Sequence, residues 1–194
     1  MTRRPAARVG VSIDAPCRRD QNALIRHAGM EFRIRLSGMG RLYFEIPILE
    51  ENAEIETVFE NRETLLGSIL MPELKDHARL AVMWEDPDLA ELVPGIARGG
   101  AGELVTLGEA GAPKLQIFSH PHRTEADMSV ARVHILNRIT DEACAQPRRG
   151  RVLRVQPEQA PIRYDLRLAA PGCKADGGDP VLKNILADLT LTAN

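Results

Sequence analysis

The sequence predicts an α+β fold that is rich in β-structure: an antiparallel sandwich or barrel of about seven to nine strands with two helices. Two observations lead to this prediction. Many short segments alternate apolar and polar residues with a period of two, which is typical of half-buried strands. Two other segments, at about residues 52–70 and 180–187, carry helical spacing or helix-start signals instead.

The length of 194 residues and the hydrophobic content of 44% suit one globular domain with a sizeable core. We expect residues 30–194 to form a single β-rich domain. Residues 1–29 are predicted to form an N-terminal arm or edge strand, because Pro5 and Pro16 bracket a short alternating segment. The sequence shows neither a long apolar run nor a signal-peptide pattern, so we expect a cytoplasmic protein or a component of a particle assembled inside the cell.

The strand prediction is most specific at residues 31–49. EFRIRL (31–36) and LYFEIPIL (42–49) both alternate cleanly, and the glycine-containing SGMG lies between them. These features predict a hairpin. Further strands are predicted at 77–85, at ELVTLGE, at 113–118, at 151–156 and at 162–170.

The helix predictions depend on spacing and on capping residues. In residues 52–70 the apolar positions follow an i, i+3, i+4 pattern, Asn52 can cap the first turn, and Met71-Pro72 ends the segment. The second helix begins with Asp179 as a cap and Pro180 at the first helical position. Residues 124–139 fit both a strand, through their β-branched content, and a helix with a capping box at 124–127; the strand is narrowly favoured.

The net charge of −2 conceals a strong segregation of charge along the chain. Residues 1–41 carry nine arginines against three acids, residues 45–103 carry fourteen acids against four basic residues, and residues 123–167 carry nine arginines against six acids. We expect these segments to neutralise one another within the fold or between copies in an assembly. The arginines at 148–154 could also meet phosphates, but no aromatic residues that could stack on bases lie nearby, so nucleic-acid binding is not expected.

The three cysteines, Cys17, Cys144 and Cys173, are widely spaced and odd in number. No CxxC pair occurs, so the sequence predicts neither a zinc knuckle nor a disulfide framework, and a reducing compartment is expected. A cysteine nucleophile at Cys144 or Cys173 would need a histidine close in space, and the sequence does not show whether one is there.

The one concentration of groups that could perform chemistry lies in residues 116–138. His120 and His122 form an H-x-H pair that on a strand would point to one face. With Asp127 and His134 they give a candidate site for a divalent metal. The H-x-H pair followed by an acid resembles the metal motif of cupins, although Asp127 stands where glutamate is usual and the second half of the motif is missing. That resemblance implies a metal-dependent enzyme.

These patterns favour a non-enzymatic interaction or assembly protein. It would be a β-rich structural subunit, of the kind found in bacterial or phage multi-protein complexes, that associates with itself or with a protein partner through charged faces. A metal-dependent enzyme is the first alternative and a small-ligand binding barrel the second. The leading hypothesis implies no cofactor and no membrane.

Overall fold

The computed structural model describes residues 1–86, 88–98, 102–121, 128–173 and 178–192. Nearly all regular structure in this part of the chain is β. The strands are β1 (Thr2–Arg4), β2 (Arg8–Asp14), β3 (Asn22–His27), β4 (Met30–Arg35), β5 (Arg41–Pro47), β6 (Asn52–Phe59), β7 (Thr64–Leu70), β8 (His77–Trp84), β9 (Ala90–Arg98), β10 (Glu103–Leu107), β11 (Lys114–Pro121), β12 (Met128–Asn137), β13 (Arg148–Val155), β14 (Ile162–Leu168), β15 (Val181–Leu182) and β16 (Leu189–Thr192). One short 3-10 turn, Pro72–Asp76, connects β7 to β8.

The strands form four antiparallel sheets. Sheet A has the order β1-β2-β5, sheet B the order β4-β3-β6-β7, and sheet C the order β10-β11-β8-β13-β14. In sheet D, β12 pairs with β9, β15 and β16. Within the residues that the structure describes, the sheets do not close into a barrel, so the predicted barrel is wrong.

Sheet C is the central layer, and its strands β8 and β11 are buried on both faces. One face, which includes Ala81 and Leu153, packs on sheets A and B in one core cluster. The other face, which includes Leu80 and Val152, packs on sheet D in a second cluster. Burial on both faces explains why β8 is apolar almost throughout.

The predicted α+β class is wrong, because the described residues contain no α-helix. Residues 52–70 form β6 and β7, which pair with each other across a turn at Glu60–Glu63. The alternating side chains Ala53, Ile55, Thr57 and Phe59 are buried. The apparent helical spacing arose because the apolar positions of two adjacent strands were combined into one pattern.

The second predicted helix, at 180–187, is also absent. Val181 and Leu182 pair with β12 instead. Asn184 then adopts a left-handed backbone conformation with φ of 58°, which an α-helix cannot contain. The narrow preference for a strand at 124–139 is confirmed for Met128–Asn137, which is β12; residues 124–127 lie outside the described part.

The predicted hairpin at 31–49 is wrong, although both of its strands exist. β4 pairs with β3, and β5 pairs with β2. The true hairpin turn is Ala28-Gly29, where both residues have positive φ (52° and 73°), as a two-residue turn between twisted strands requires. The ladder of this long hairpin is interrupted at residues 15–21 in one arm and at residues 36–40, which include SGMG, in the other, and there the chain passes from sheet B to sheet A.

Residues 1–29 supply β1, β2 and β3. Val9, Val11 and Ile25 in these strands belong to the first core cluster, together with Phe32 of β4. The division of the chain at residue 30 stays a prediction.

The buried cation of Arg79 connects sheet A to sheet C. Arg79 lies on β8, is fully buried, and donates hydrogen bonds to the backbone oxygens of Ile48, Ala6 (2.6 Å) and Ala7 (3.0 Å). Burial, assisted by repulsion from Arg8, lowers the pKa of Arg79 to about 9, so the guanidinium stays charged at neutral pH. Its role is structural, because its donors are directed at main-chain carbonyls.

Arg148 has an equivalent role at the loop between β12 and β13. Its guanidinium donates to the backbone oxygens of Ala143 (2.8 Å), Gln146 (2.6 Å) and Arg138 (2.9 Å). The same loop carries Cys144, which forms a disulfide with Cys173. The expectation that the cysteines remain unpaired is therefore wrong for these two; Cys17 is free and exposed.

Candidate interaction surface

The residues predicted to bind a metal are only partly described. His122 and Asp127 lie outside the described residues. His120 is fully buried on β11, on the face of sheet C that packs against sheet D, as shown by its pairing with Ala78. His134 is half-buried on β12 and alternates with the buried Val133 and Ile135, so it lies on the outer face of sheet D.

The structure therefore places His120 and His134 on opposite sides of the β12 strand and does not bring their side chains together. On the outer face, His134 lies close to Asp188, whose carboxylate pairs with Arg132 at 2.8 Å. The Arg132 guanidinium, with a smaller contribution from His134, lowers the pKa of Asp188. Within the described ranges, no three His, Cys, Asp or Glu side chains are grouped so that they could hold a metal ion.

His27 is buried and performs a structural task that the sequence did not indicate. Its Nδ1 lies 2.9 Å from the backbone oxygen of Glu54, and its Nε2 accepts a hydrogen bond from the amide of Leu49 at 2.8 Å. Because Nε2 is an acceptor, the imidazole is neutral and carries its proton on Nδ1. Burial lowers the pKa of His27, and burial also lowers the pKa of the half-buried His77 to about 4.

We expect stability to fall as the pH is lowered from about 6.5 towards 4. In that interval the unfolded chain binds a proton that the folded His77 does not, and His27 adds to the effect in the same direction until its own lowered pKa is reached, so the free energy of unfolding decreases by at most about 1.4 kcal/mol per pH unit for each histidine. Above the pKa of histidine in the unfolded chain, both imidazoles are neutral in both states, so neither makes the free energy of unfolding depend on pH. Urea unfolding at pH 7.5, 6.0 and 5.0 measures the slope.

His27→Gln keeps an acceptor for the Leu49 amide but cannot be protonated, so this variant should show a shallower pH dependence than the wild type. His77→Gln should remove a smaller part of the slope, since His77 is more exposed. A His27→Gln variant with the wild-type slope would show that His27 is not the group responsible.

Ion pairs within the chain neutralise part of the segregated charge. Arg3 pairs with Glu73 at 3.8 Å, Arg138 with Glu91 at 2.7 Å, and Arg8 with Glu103. Each of these pairs joins a basic segment to the acidic middle of the chain. Most of these groups are exposed, so each pair adds little stability. Together, however, the pairs weaken the electrostatic field that a charged partner would meet at the surface.

The most unusual surface is the free edge of sheet B. This edge is β7, which among the described strands pairs only with β6. Its sequence, TLLGSIL, contains no charged residue and no proline. Three of its side chains are strongly exposed: Leu65 (50%), Leu66 (68%) and Leu70 (54%).

Other sheet edges in the described part of the chain carry features that discourage pairing. β4 and β14 carry charges at alternate positions, β9 contains Pro94, β1 contains two arginines, and β15 has two residues. Charges, prolines and short length are the usual means by which proteins block edge-to-edge association. β7 is the longest described edge strand that lacks all of them.

The outer face of β7 continues into a cleft of about 610 Å³. The cleft is lined by Leu66 of β7 and by four charged residues, Glu54, Glu56, Arg26 and Arg163, among others. Arg163 pairs with Glu50 at 3.0 Å, and Arg26 pairs with Glu56 at 3.3 Å. The combination of an apolar strand edge and a mixed-charge cleft is suited to protein contact, because it offers both main-chain hydrogen bonds and specific charged groups.

Sequence reasoning missed this surface because it assigned the leucines to the apolar face of a helix. Seven consecutive uncharged residues, rich in leucine and isoleucine with a glycine in the middle, could have marked this segment as prone to strand pairing, although not as the edge of a sheet. No protein family, curated protein or solved structure was found to match this chain. No helix in the described residues is long and apolar enough to cross a membrane.

Proposed function

We propose that this protein is a non-enzymatic assembly subunit that associates with a second copy of itself through β7. The supporting observation is the uncharged, leucine-rich edge strand Thr64–Leu70. An unpaired strand edge exposes a row of amide and carbonyl groups that a second strand can satisfy. Antiparallel pairing of two copies would continue sheet B across the interface.

The sequence of β7 suits pairing with itself. In a two-fold pairing centred on Gly67, Leu66 stands opposite Ser68 of the second copy, and Leu65 stands opposite Ile69 of the second copy. No like charges meet, because the strand has none. A two-fold interface of this kind uses the same patch on both subunits, which is the commonest arrangement in homo-oligomers.

Light scattering coupled to size-exclusion chromatography tests the proposal. We expect the wild-type protein to form dimers or larger assemblies, and the double variant Leu66→Lys, Leu70→Lys to weaken association at least about tenfold, because the paired state would gather the introduced charges of both copies as diagonal neighbours on one face, where they repel. Met39→Lys is the matched control, since Met39 is similarly exposed (64%) but lies in the turn before β5. Its association should equal that of the wild type.

A wild-type protein that remains monomeric at high concentration and low salt would rule out self-association. Equal weakening by the Met39→Lys control would show that added positive charge, and not the β7 edge, is responsible. Hydrogen exchange provides a direct measurement, because β7 amides should become more protected as the protein concentration rises.

A further inference from the structure

A second feature, independent of the β7 edge, lies on sheet C where β13 and β14 extend beside the Ala28-Gly29 turn. A cleft of about 140 Å³ opens there. It is lined by three arginines, Arg149, Arg151 and Arg167, and by two acids, Glu85 and Asp165. The cleft is smaller than a typical pocket for a drug-sized ligand, and its volume suits a single small ionic group.

The sheet register brings the arginines together. Arg149 of β13 is directly opposite Arg167 of β14, and Arg151 is opposite Asp165. Residues two apart on a strand share a face, so all three guanidinium groups extend from one side of the sheet. Like charges placed directly opposite each other destabilise a strand pair, and an anion bound between them would remove that repulsion.

The two opposed arginines have no internal partner in the described part of the chain. Neither Arg149 nor Arg167 forms an ion pair there, and neither acid of the cleft lies within ion-pairing distance of an arginine. Arg151 makes one long hydrogen bond, 3.4 Å, to the backbone oxygen of Gly29. Most of the guanidinium donors in the cleft therefore remain open to a ligand. Arg138 and Arg163, in contrast, are satisfied by acids.

We propose that this cleft binds a small phosphate-type oxyanion, such as pyrophosphate or the phosphate group of a small ester. Guanidinium groups recognise such oxygens through paired, charge-assisted hydrogen bonds. Three arginines against two acids leave the cleft positive, while the whole chain has a net charge of −2. General attraction of the whole protein for anions is therefore not expected, and binding would report on the cleft itself.

Single-stranded nucleic acid is a less suitable ligand. Stacking of bases needs exposed aromatic side chains beside the basic groups. Tyr164 is the nearest aromatic residue in the strand sequence, but it alternates with Arg163 and Asp165 and so lies on the opposite face of β14.

Isothermal titration calorimetry of the full chain with pyrophosphate, at constant ionic strength set with chloride, tests the proposal. We expect saturable binding that Arg167→Gln weakens about tenfold or more and that the double variant Arg149→Gln, Arg167→Gln abolishes. Arg33→Gln is the matched control, because Arg33 is an exposed arginine on β4 without an ion pair in the described residues. Its affinity should equal that of the wild type. Titration with inorganic phosphate and with glycerol phosphate then separates a free anion from an ester as the ligand.

Each of the following binding results would overturn the proposal. Absence of binding by all three phosphate compounds would exclude the site. Equal affinity of the Arg167→Gln and Arg33→Gln proteins would show that the attraction is not local. Tight binding of a short single-stranded oligonucleotide, with no response to pyrophosphate, would identify the ligand as a nucleic acid instead.

A measurement without ligand checks that the variants remain folded and examines the repulsion directly. In chloride buffer, Arg167→Gln should unfold at the same temperature as the wild type or slightly above it, because one of two opposed charges has been removed. Pyrophosphate should raise the unfolding temperature of the wild type and of Arg33→Gln, but not that of the double variant. A lower unfolding temperature for Arg167→Gln in chloride would contradict the repulsion on which the proposal depends.

Discussion

Replacing Arg79 with alanine is expected to lower the free energy of unfolding by about 3–5 kcal/mol. The substitution removes the donors that satisfy the backbone oxygens of Ile48 and Ala6, and it leaves a cavity between sheets A and C. Ala7 keeps one partner, because its oxygen also accepts a hydrogen bond from the amide of Ile48 at 3.2 Å. Urea unfolding followed by circular dichroism measures the loss.

Arg79→Met separates the two causes of this loss. Methionine fills much of the volume but donates no hydrogen bond, and it also relieves the cost of burying a charge. We expect it to lose roughly half as much stability as alanine. Arg33→Met, on the exposed side of β4, should change stability by less than about 0.5 kcal/mol. If Arg79→Ala is as stable as Arg33→Met, Arg79 does not connect the sheets as described.

Removing the Cys144–Cys173 disulfide is expected to cost about 3–4 kcal/mol. The two residues are 29 positions apart and their Cα atoms are separated by 4.8 Å, so the bond restricts a substantial loop of the unfolded chain. The double variant Cys144→Ser, Cys173→Ser should show this loss in thermal or urea unfolding. Treatment of the wild type with a reductant should have the same effect.

Cys17→Ser is the control for the disulfide, because Cys17 is free and exposed. It should leave stability unchanged and remain sensitive to reductant. Alkylation of the unfolded, unreduced wild-type protein, followed by mass spectrometry, should modify one cysteine. Modification of three cysteines, together with equal unfolding midpoints with and without reductant, would show that the bond does not form.

Arg148 holds the same loop by three hydrogen bonds to backbone oxygens, so local order there should partly survive the loss of the disulfide.

Period-two alternation identified about half of the sixteen described strands, where seven to nine were predicted, because it depends only on which side chains are buried on one face. The segments at 77–85 and at 113–118 were predicted as strands, and they are β8 and β11. The predicted strand at ELVTLGE is also confirmed as β10, which pairs with β11. These two strands are joined by a short connection, and local sequence was therefore sufficient.

Partner choice between strands was predicted less well. The segment SGMG has the composition of a hairpin loop, yet the hairpin that forms has its turn at Ala28-Gly29, between β3 and β4. Helical spacing at 52–70 failed for a related reason. Leu65, Leu66 and Leu70 are exposed on a sheet edge, and when they are combined with the buried positions of the preceding strand β6 they imitate the i, i+3, i+4 spacing of an amphipathic helix.

The candidate sites, like the strand partners, depend on contacts between distant segments that local sequence does not reveal. The histidines at 120 and 134 are close in the sequence, but β11 and β12 belong to different sheets, so their side chains lie on different sides of sheet D. The basic cleft depends on the register of β13 against β14, which places Arg149 opposite Arg167. Neither relation can be read from spacing along one chain segment, because each depends on contacts between segments.

The sequence by itself determined that this protein is rich in antiparallel β-structure, with a core of aliphatic residues and charge separated along the chain. These properties follow from composition and local alternation. The tertiary structure decided the layering of sheet C between two cores, the Cys144–Cys173 bond, and the exposure of β7. The physical reason is that burial and pairing are set by neighbours distant in the chain: Thr64–Leu70 is an open edge because sheet B ends there, and no property of the seven residues alone determines where a sheet ends.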